Sequence, residues 1–374
     1  MKRKIASHYA LIDGELERNI VIEVDGRTIT AIERVENIDR CAGVEFYPGI
    51  LIAGMVNAHC HLELSYLRGA IAEGSGFAGF AGEIGRVRNN YTTEERLHAA
   101  SVADAVMWEQ GIEAVADIAN DLLVMPIKER SQIKYHTFIE FFGLNNHSLD
   151  TARAMAEGEH ISLTPHSIYS VQDGPFREIS AEGEAPLSIH FLESDDEKAL
   201  YNHQGSLHNW YERMGWSTDF LDYGTPAKRI VESIAAERRV MLVHNCKAAS
   251  EDVEMIESHF AGGAHWVLCP ESNRFISRIE PPVEMFRAMG TKVAIGTDSL
   301  ASARELSMVE NMRLLGDVPI NELLIWATRG GAEALGMDSL GELRVGTSPG
   351  IVLIEGADLK AMRLTEESRS RRII

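Results

Sequence analysis

Apolar runs of strand length recur along the middle of the chain and alternate with stretches of helical pattern. There are eight such runs: ILIAGMVNA, IEAVADIA, YHTFIEFFG, HISLTPHS, PLSIHFLES, RVMLVHNC, HWVLCP and KVAIGTDS. The first predicts a strand over residues 50–59. The stretches between them predict helices, such as residues 93–110, which follow a capping box that begins at Thr92 and stop at Gly111. Eight apolar strands separated by helices favour a closed (β/α)8 barrel over an open doubly wound sheet.

The two ends of the chain have a different pattern, with short strand-like runs separated by turn residues. Near the start, Asp25-Gly26 lies between β-rich runs and is typical of a two-residue hairpin. Residues 341–356 again predict strand and turn. We therefore predict an α/β fold: a (β/α)8 TIM barrel over residues 50–340 and a small β-sandwich domain built from both termini, residues 1–49 and 341–374.

Composition and charge narrow the classes of ligand. The chain has 374 residues, of which 45% are hydrophobic and 25% charged, and it contains no apolar run long enough to cross a membrane. A net charge of −20 disfavours nucleic acid and membrane surfaces as partners, which leaves a small-molecule substrate. The basic start has no apolar core behind it, so we expect a cytoplasmic protein. A homodimer is the default expectation for its assembly.

The cysteines do not suggest a disulfide framework or a zinc ribbon. The chain has four, which are widely spaced: Cys41, Cys60, Cys246 and Cys269. Without a C-x-x-C pair they are predicted to be reduced. Cys60 and Cys246 lie beside histidines, so thiolate ligation stays an alternative to packing for these two.

Candidate chemistry begins with VNAHCHLELS, residues 56–65. Side chains alternate along a strand, so His59 and His61 project to one side and Cys60 to the other. Two converging imidazoles suit a metal ion, because neutral histidine is a common ligand for Zn²⁺ and Fe²⁺. The alternative is a pair of hydrogen-bonded histidines at a strand end.

Polar residues at the ends of other predicted strands favour the metal. Chemistry in a (β/α)8 barrel lies where the strands end at their carboxyl face. Side chains with polar or charged groups are found at this position in five strands: His59, His61, His166, His190, Glu193, His244 and Asp298. Buried polar groups need partners, so packing alone explains such a set poorly.

Three imidazoles and one carboxylate form the predicted ligand set: His59, His61, His190 and Asp298. Four such donors leave a position for water, as in a catalytic zinc site. A divalent cation lowers the pKa of water toward neutrality, and Glu193, three residues after His190, is the predicted base. His244 is either a further ligand or a residue that aligns the water, and His166 is a candidate donor to the substrate.

Taken together, these residues resemble the amidohydrolase superfamily. The resemblance rests on an ordered set of segments that spans nearly the whole chain: PGILIAGMVNAHCHLELSYLRG, TPHSIYS, SIHFLES, LVHN, CPESNRFI and AIGTDSLAS. Within the superfamily the chain is similar to the cytosine-deaminase-like branch, which includes guanine, adenosylhomocysteine and aminofutalosine deaminases and triazine chlorohydrolases. HLELS is similar to aminofutalosine deaminases.

The resemblance implies one divalent metal ion, with Zn²⁺ favoured over Fe²⁺. It also implies that Glu193 shuttles protons and that His244 lies beside the water. Binuclear members carry a carboxylated lysine at the fourth strand, and ISLTPHSIYSV has none. The glycine-rich region after the first strand differs from the aromatic lids of relatives. Glu63, Arg68 and Arg86 are further candidates for substrate contact.

The leading hypothesis is hydrolytic deamination of an amino-substituted nitrogen heterocycle, such as a purine, a nucleoside such as aminofutalosine, or a pterin. Water activated by the metal attacks the carbon that bears the amine, Glu193 protonates the ring nitrogen and the departing ammonia, and Asp298 or His244 aligns the water. Two alternatives stay open. One is amide, imine or halide hydrolysis on the same scaffold, and the other is a barrel that binds or assembles without catalysis.

Overall fold

The computed structural model describes residues 2–143 and 148–374 and has an α/β fold, as predicted. Its strands are β1 Lys2–Ile12, β2 Glu15–Glu17, β3 Ile20–Asp25, β4 Thr28–Arg34, β5 Val44–Ala53, β6 Met55–Cys60, β7 Ile112–Ala119, β8 Lys134–Phe141, β9 Ile161–Pro165, β10 Leu187–Phe191, β11 Val240–His244, β12 His265–Leu268, β13 Lys292–Ile295, β14 Ile351–Glu355 and β15 Arg369–Arg372. All eight predicted apolar runs contribute strands.

Helices follow most of the central strands. They are α1 Gly76–Val87, α2 Thr93–Glu109, α3 Met125–Lys128, α4 Leu149–Met155, α5 Asp173–Ala181, α6 Asp195–Tyr201, α7 Gly205–Met214, α8 Pro226–Ser233, α9 Ser250–His259, α10 Pro270–Ser277, α11 Val283–Met289, α12 Met308–Arg313, α13 Ile320–Ile325 and α14 Gly331–Leu335. Short 3-10 helices cover Ile38–Arg40, Leu62–Leu67, Arg88–Asn90 and Asp219–Tyr223, and a π-helical segment covers Trp326–Gly330. The predicted capping box of α2 is present between Thr92 and Glu95. Among the described residues, no helix combines the length and the apolar character needed to span a bilayer.

The central strands form two four-stranded parallel sheets, β6-β7-β8-β9 and β10-β11-β12-β13. Backbone contacts join the sheets on both sides. The amide of His190 donates to the carbonyl of His166 (2.9 Å), and the amide of Thr297 donates to the carbonyl of His59 (3.0 Å). One apolar cluster also contains residues from both sheets, including Ala116 of β7 and Val243 of β11. The carboxyl ends of the parallel strands therefore meet at one place.

Strands from both termini form a seven-stranded sheet in the order β15-β14-β5-β1-β3-β4, with β2 paired to β1. The predicted hairpin joins β3 and β4, but Asp25 pairs with Thr28, so its turn is Gly26-Arg27 rather than Asp25-Gly26. The described strands of this region belong to one sheet, and its form as a β-sandwich stays a prediction.

The run predicted as one strand over residues 50–59 is two strands in different sheets, so that prediction was wrong. β5 ends at Ala53 and pairs with β14, whereas β6 begins at Met55 and pairs with β7. Gly54 separates them, and its amide donates to the carbonyl of Pro349 (3.0 Å). A Cβ atom at residue 54 would lie 2.0 Å from Cγ of Glu113, so this close passage of the chain requires glycine.

Candidate active site

The predicted metal ligands lie together at the carboxyl ends of the central strands. His59 ends β6 with His61 just beyond it, His190 lies on β10, and Asp298 follows β13. One ring nitrogen from each of the three histidines falls within a set of ligand atoms no more than 4.8 Å apart. His59 and His61 converge as predicted, while Cys60 packs in an apolar cluster.

The spacing of these donors fits a divalent ion. Nε2 of His61 lies 3.2 Å from Nε2 of His59 and 3.6 Å from Oδ1 of Asp298, and the His59–Asp298 distance is 4.0 Å. Ligands about 2.1 Å from a tetrahedral zinc ion are separated from each other by about 3.4 Å. The four donors therefore surround a space of the right size for a metal.

Burial keeps the histidines in the neutral form that binds metals. It lowers the pKa of His59 and His61, and it lowers the pKa of His190 to about 3. Burial alone would raise the pKa of Asp298, but nearby imidazoles, His61 first, outweigh it, so the net shift is downward. Three neutral imidazoles and a carboxylate are the expected protonation states of such a ligand set.

Hydrogen bonds orient two of the ligands. Nδ1 of His190 donates to the carbonyl of His166 (2.9 Å), which leaves Nε2 to face the other donors. Oδ2 of Asp298 accepts from the hydroxyls of Ser272 (2.5 Å) and Ser302 (3.3 Å). These serines had no predicted role. Ser272 lies in the CPESNRFI segment quoted above, which was the available signal.

Glu193 and His244 lie beside the ligand set, with Oε2 of Glu193 3.9 Å from Nε2 of His244. Nδ1 of His244 bonds to Oδ1 of Asn273 (2.8 Å), so this nitrogen is the donor and Nε2 is the acceptor that faces Glu193. Burial raises the pKa of Glu193, which brings a carboxyl closer to the range in which it exchanges protons near neutral pH.

Glu197 is fully buried, whereas sequence reasoning placed it at the surface. Its carboxyl accepts from three consecutive backbone amides: Leu192 (2.7 Å), Glu193 (2.6 Å) and Ser194 (3.2 Å). Burial raises the pKa of Glu197 to about 8. The signal that was missed is S-x-x-E, residues 194–197, in which the glutamate of a capping box folds back onto the chain. Here it shapes the turn that presents Glu193.

The predicted substrate contacts are arranged differently from one another. His166 stacks on His190 with ring centroids 4.6 Å apart and so borders the ligand set. Glu63 is buried nearby, but both its oxygens accept from Asn120, from the amide nitrogen and from Nδ2, at 3.0 Å each. Arg68 is exposed, and no bond printed for the described chain joins it to the histidines. Arg86 pairs with Glu83 at the surface of α1.

Glu140 is a buried acid that sequence reasoning missed. It lies near the end of β8, in FIEFF, and its Oε2 is 4.0 Å from Nε2 of His166 and from Nδ1 of His190. Burial raises the pKa of Glu140 to about 8. A charged residue inside an apolar strand was the available signal.

The fold and this donor set define a metal-dependent hydrolase. Residues 50–373 match the model of the Amidohydrolase family. The chain belongs to this family, which confirms the resemblance inferred from its motifs.

Three relatives place the chain more closely. It is 28% identical to an adenosine deaminase of Helicobacter pylori over 318 residues, covering 79% of this chain and 76% of that protein. The structure of H. pylori aminofutalosine deaminase in complex with methylthio-coformycin superposes with a TM-score of 0.80 at 23% identity and full coverage of both chains. An adenosine deaminase from Xanthomonas campestris with bound zinc gives 0.77 at 20% identity, covering 96% and 86% of the chains. At these identities the two structures establish the fold.

Proposed function

We propose that the protein catalyses the hydrolytic deamination of an amino-substituted nitrogen heterocycle, such as a purine, a nucleoside such as aminofutalosine, or a pterin. The observation that carries this proposal is the convergence of His59, His61, His190 and Asp298 with Glu193 beside them. The relatives named above support the class of reaction, since they are deaminases of adenosine and aminofutalosine. The roles given below to individual residues are part of the proposal.

We further propose that these four ligands hold a single ion and that the ion is Zn²⁺ rather than Fe²⁺. The donor chemistry accommodates either metal. The zinc-bound structure of a relative favours zinc. When bound, the ion polarises water and makes hydroxide available near neutral pH.

The protein's own residues would manage the protons. Glu193 holds a proton on its carboxyl and delivers it first to a ring nitrogen next to the reacting carbon and then to the leaving amine, which departs as ammonia. His244 accepts a hydrogen bond at Nε2, because its Nδ1 hydrogen is held by Asn273. The burial of both side chains excludes bulk water from this exchange.

We also propose that the two four-stranded sheets close into a (β/α)8 barrel. The backbone hydrogen bonds at both seams, from His190 to His166 and from Thr297 to His59, support closure. The division into a barrel over residues 50–340 and a domain from residues 1–49 and 341–374 follows the same proposal, although β5 extends the terminal sheet to Ala53.

The ligand class of the proposal is a small molecule, in agreement with the molecules bound or acted on by the relatives. The absence of nucleic acid and membrane partners, a homodimeric assembly and a cytoplasmic location stay predictions. Sedimentation of the purified protein measures the assembly directly.

An ammonia-release screen over aminopurines, nucleosides, pterins and pyrimidines tests the reaction, with metal content measured on the same sample. We expect ammonia from at least one class and about one metal ion per chain. Release of carboxylate or chloride instead would favour hydrolysis of an amide or carbon–halogen bond. No turnover together with no metal would favour a non-catalytic barrel.

The Glu193→Gln variant tests the proton carrier. We expect kcat to fall by about 10²- to 10⁴-fold, the usual contribution of a general acid or base, with metal content unchanged. Asp195→Asn is the matched control, because Asp195 is two residues away and its side chain is 80% exposed. Full turnover by Glu193→Gln would remove this residue from the mechanism.

A further inference from the structure

Glu140 has one carboxyl oxygen that is buried without a partner. Its side chain is 6% exposed, and Oε2 has no hydrogen-bond partner. The nearest polar atoms named for it are Nε2 of His166 and Nδ1 of His190, both at 4.0 Å, which is beyond hydrogen-bond distance. A buried acceptor left unpaired is costly, so its retention beside a binding site points to a ligand that completes it.

The other oxygen of Glu140 is held in place. Oε1 accepts from Nδ2 of Asn120 (3.0 Å), and the same amide nitrogen donates its second hydrogen to Oε1 of Glu63 (3.0 Å). The backbone amide of Asn120 also donates to Glu63 (3.0 Å). Glu63 is therefore occupied by Asn120, which positions Glu140 and leaves Oε2 as the free acceptor.

A second metal ion is a poor occupant for this gap. The three side chains around it, Glu140, His166 and His190, are close enough to share an ion. However, Nδ1 of His190 already donates to the carbonyl of His166, and Nε2 faces the ligand set described above. An ion here would have to displace that backbone hydrogen bond.

The serines beside His166 determine which of its ring nitrogens carries the hydrogen. Oγ of Ser167 accepts from the backbone amides of Tyr169 (3.3 Å) and Ser170 (3.1 Å), so its own hydrogen points to Oγ of Ser170 (2.7 Å). Ser170 then donates to Nδ1 of His166 (2.7 Å). The hydrogen of a neutral imidazole consequently lies on Nε2, which faces Glu140 as a donor.

We propose that Glu140 is a specificity-determining residue that binds a hydroxyl group of the substrate. A hydroxyl between the two side chains accepts from Nε2 of His166 and donates to Oε2 of Glu140, and a gap of 4.0 Å leaves room for one oxygen about 2.8 Å from each. The site lies beyond His190 from the ligand set, so the hydroxyl belongs to a substituent of the heterocycle, such as a ribosyl group. This inference rests on the proposed function.

Glu140→Gln tests the proposal by reversing the polarity at one atom. Asn120 needs an acceptor, so the glutamine oxygen faces Nδ2 of Asn120 and the amide group faces His166, where it donates instead of accepting. We expect the variant to lose about 10- to 100-fold in kcat/KM for adenosine, mainly through KM. Of 2′-deoxyadenosine and 3′-deoxyadenosine, the one that lacks the bound hydroxyl should be unaffected, as should adenine. Glu140→Asp, which withdraws the carboxyl by one methylene, should show the same substrate pattern.

Dissociation constants of the same four compounds, measured on Glu193→Gln with and without Glu140→Gln, separate this inference from the proposed function. Failure of wild-type protein to release ammonia refutes the function alone, because selective weakening of adenosine binding would still support the hydroxyl site. Equal losses for all four compounds, or no change in any, would overturn the inference. Glu159→Gln, at an exposed residue before β9, is the matched control, and melting temperature and metal content verify the fold.

Discussion

Replacement of Glu197 tests whether a buried acid outside the ligand set builds the active-site turn. Its carboxyl accepts from the amides of Leu192, Glu193 and Ser194, and Leu192 has a φ of 49°, a left-handed conformation that a non-glycine residue adopts only when its surroundings hold it. Alanine at residue 197 removes all three acceptor contacts, whereas glutamine keeps the oxygen that can replace Oε1 and loses the contact to Leu192.

The contacts set the expected magnitudes. A buried donor left without a partner costs about 1–3 kcal/mol, so Glu197→Gln should destabilise the protein by about that amount and Glu197→Ala by at least about 3 kcal/mol. The turn also carries Glu193, and a displacement of a catalytic group by about 1 Å can lower the rate about 100-fold. We therefore expect kcat to fall in the order wild type, Glu197→Gln, Glu197→Ala.

Thermal melting and steady-state ammonia release measure the two effects, with rates recorded well below the melting temperature of each variant. Metal content should stay unchanged, because His190 is oriented by the carbonyl of His166 and not by Glu197. Asp195→Ala on the same turn is the control, since its side chain is 80% exposed. Wild-type melting and wild-type kcat in Glu197→Ala would refute this reasoning.

Two further predictions concern protons and metal. Burial lowers the pKa of His136 and His265 to about 4, so the unfolded chain binds these protons at higher pH than the folded chain; stability should be complete above about pH 6.5 and fall toward pH 4, by up to about 3 kcal/mol per histidine. Melting curves from pH 7 to pH 4.5 should show this loss, and the double variant His136→Gln, His265→Gln should lose less; an equal loss would contradict the assignment. Removal of the metal with a chelator should lower the melting temperature and abolish turnover, and added Zn²⁺ should restore both. A melting temperature that is insensitive to chelator and zinc would argue against a metal bound by the folded protein.

The elements of the fold were largely predictable because the hydrophobic pattern is local information. Strand runs such as IEAVADIA and the capping box before α2 appear in the structure at nearly the predicted residues. The break at Gly54 was not predictable from this pattern. Residues on both sides are apolar and buried, and only contacts with Glu113 and Pro349 show that the chain changes sheets there.

The sequence by itself determined which residue types stand at the carboxyl ends of the strands, and a parallel α/β arrangement then brings His59, His61, His190 and Asp298 together. Only the tertiary structure decided how their neighbours are used. Glu63 and Glu140 are both buried acids close to the site, yet Asn120 occupies one and leaves an oxygen of the other free. The physical reason is that a side chain's hydrogen-bonding capacity is divided among partners distant in sequence, so its availability to a ligand depends on the packed fold.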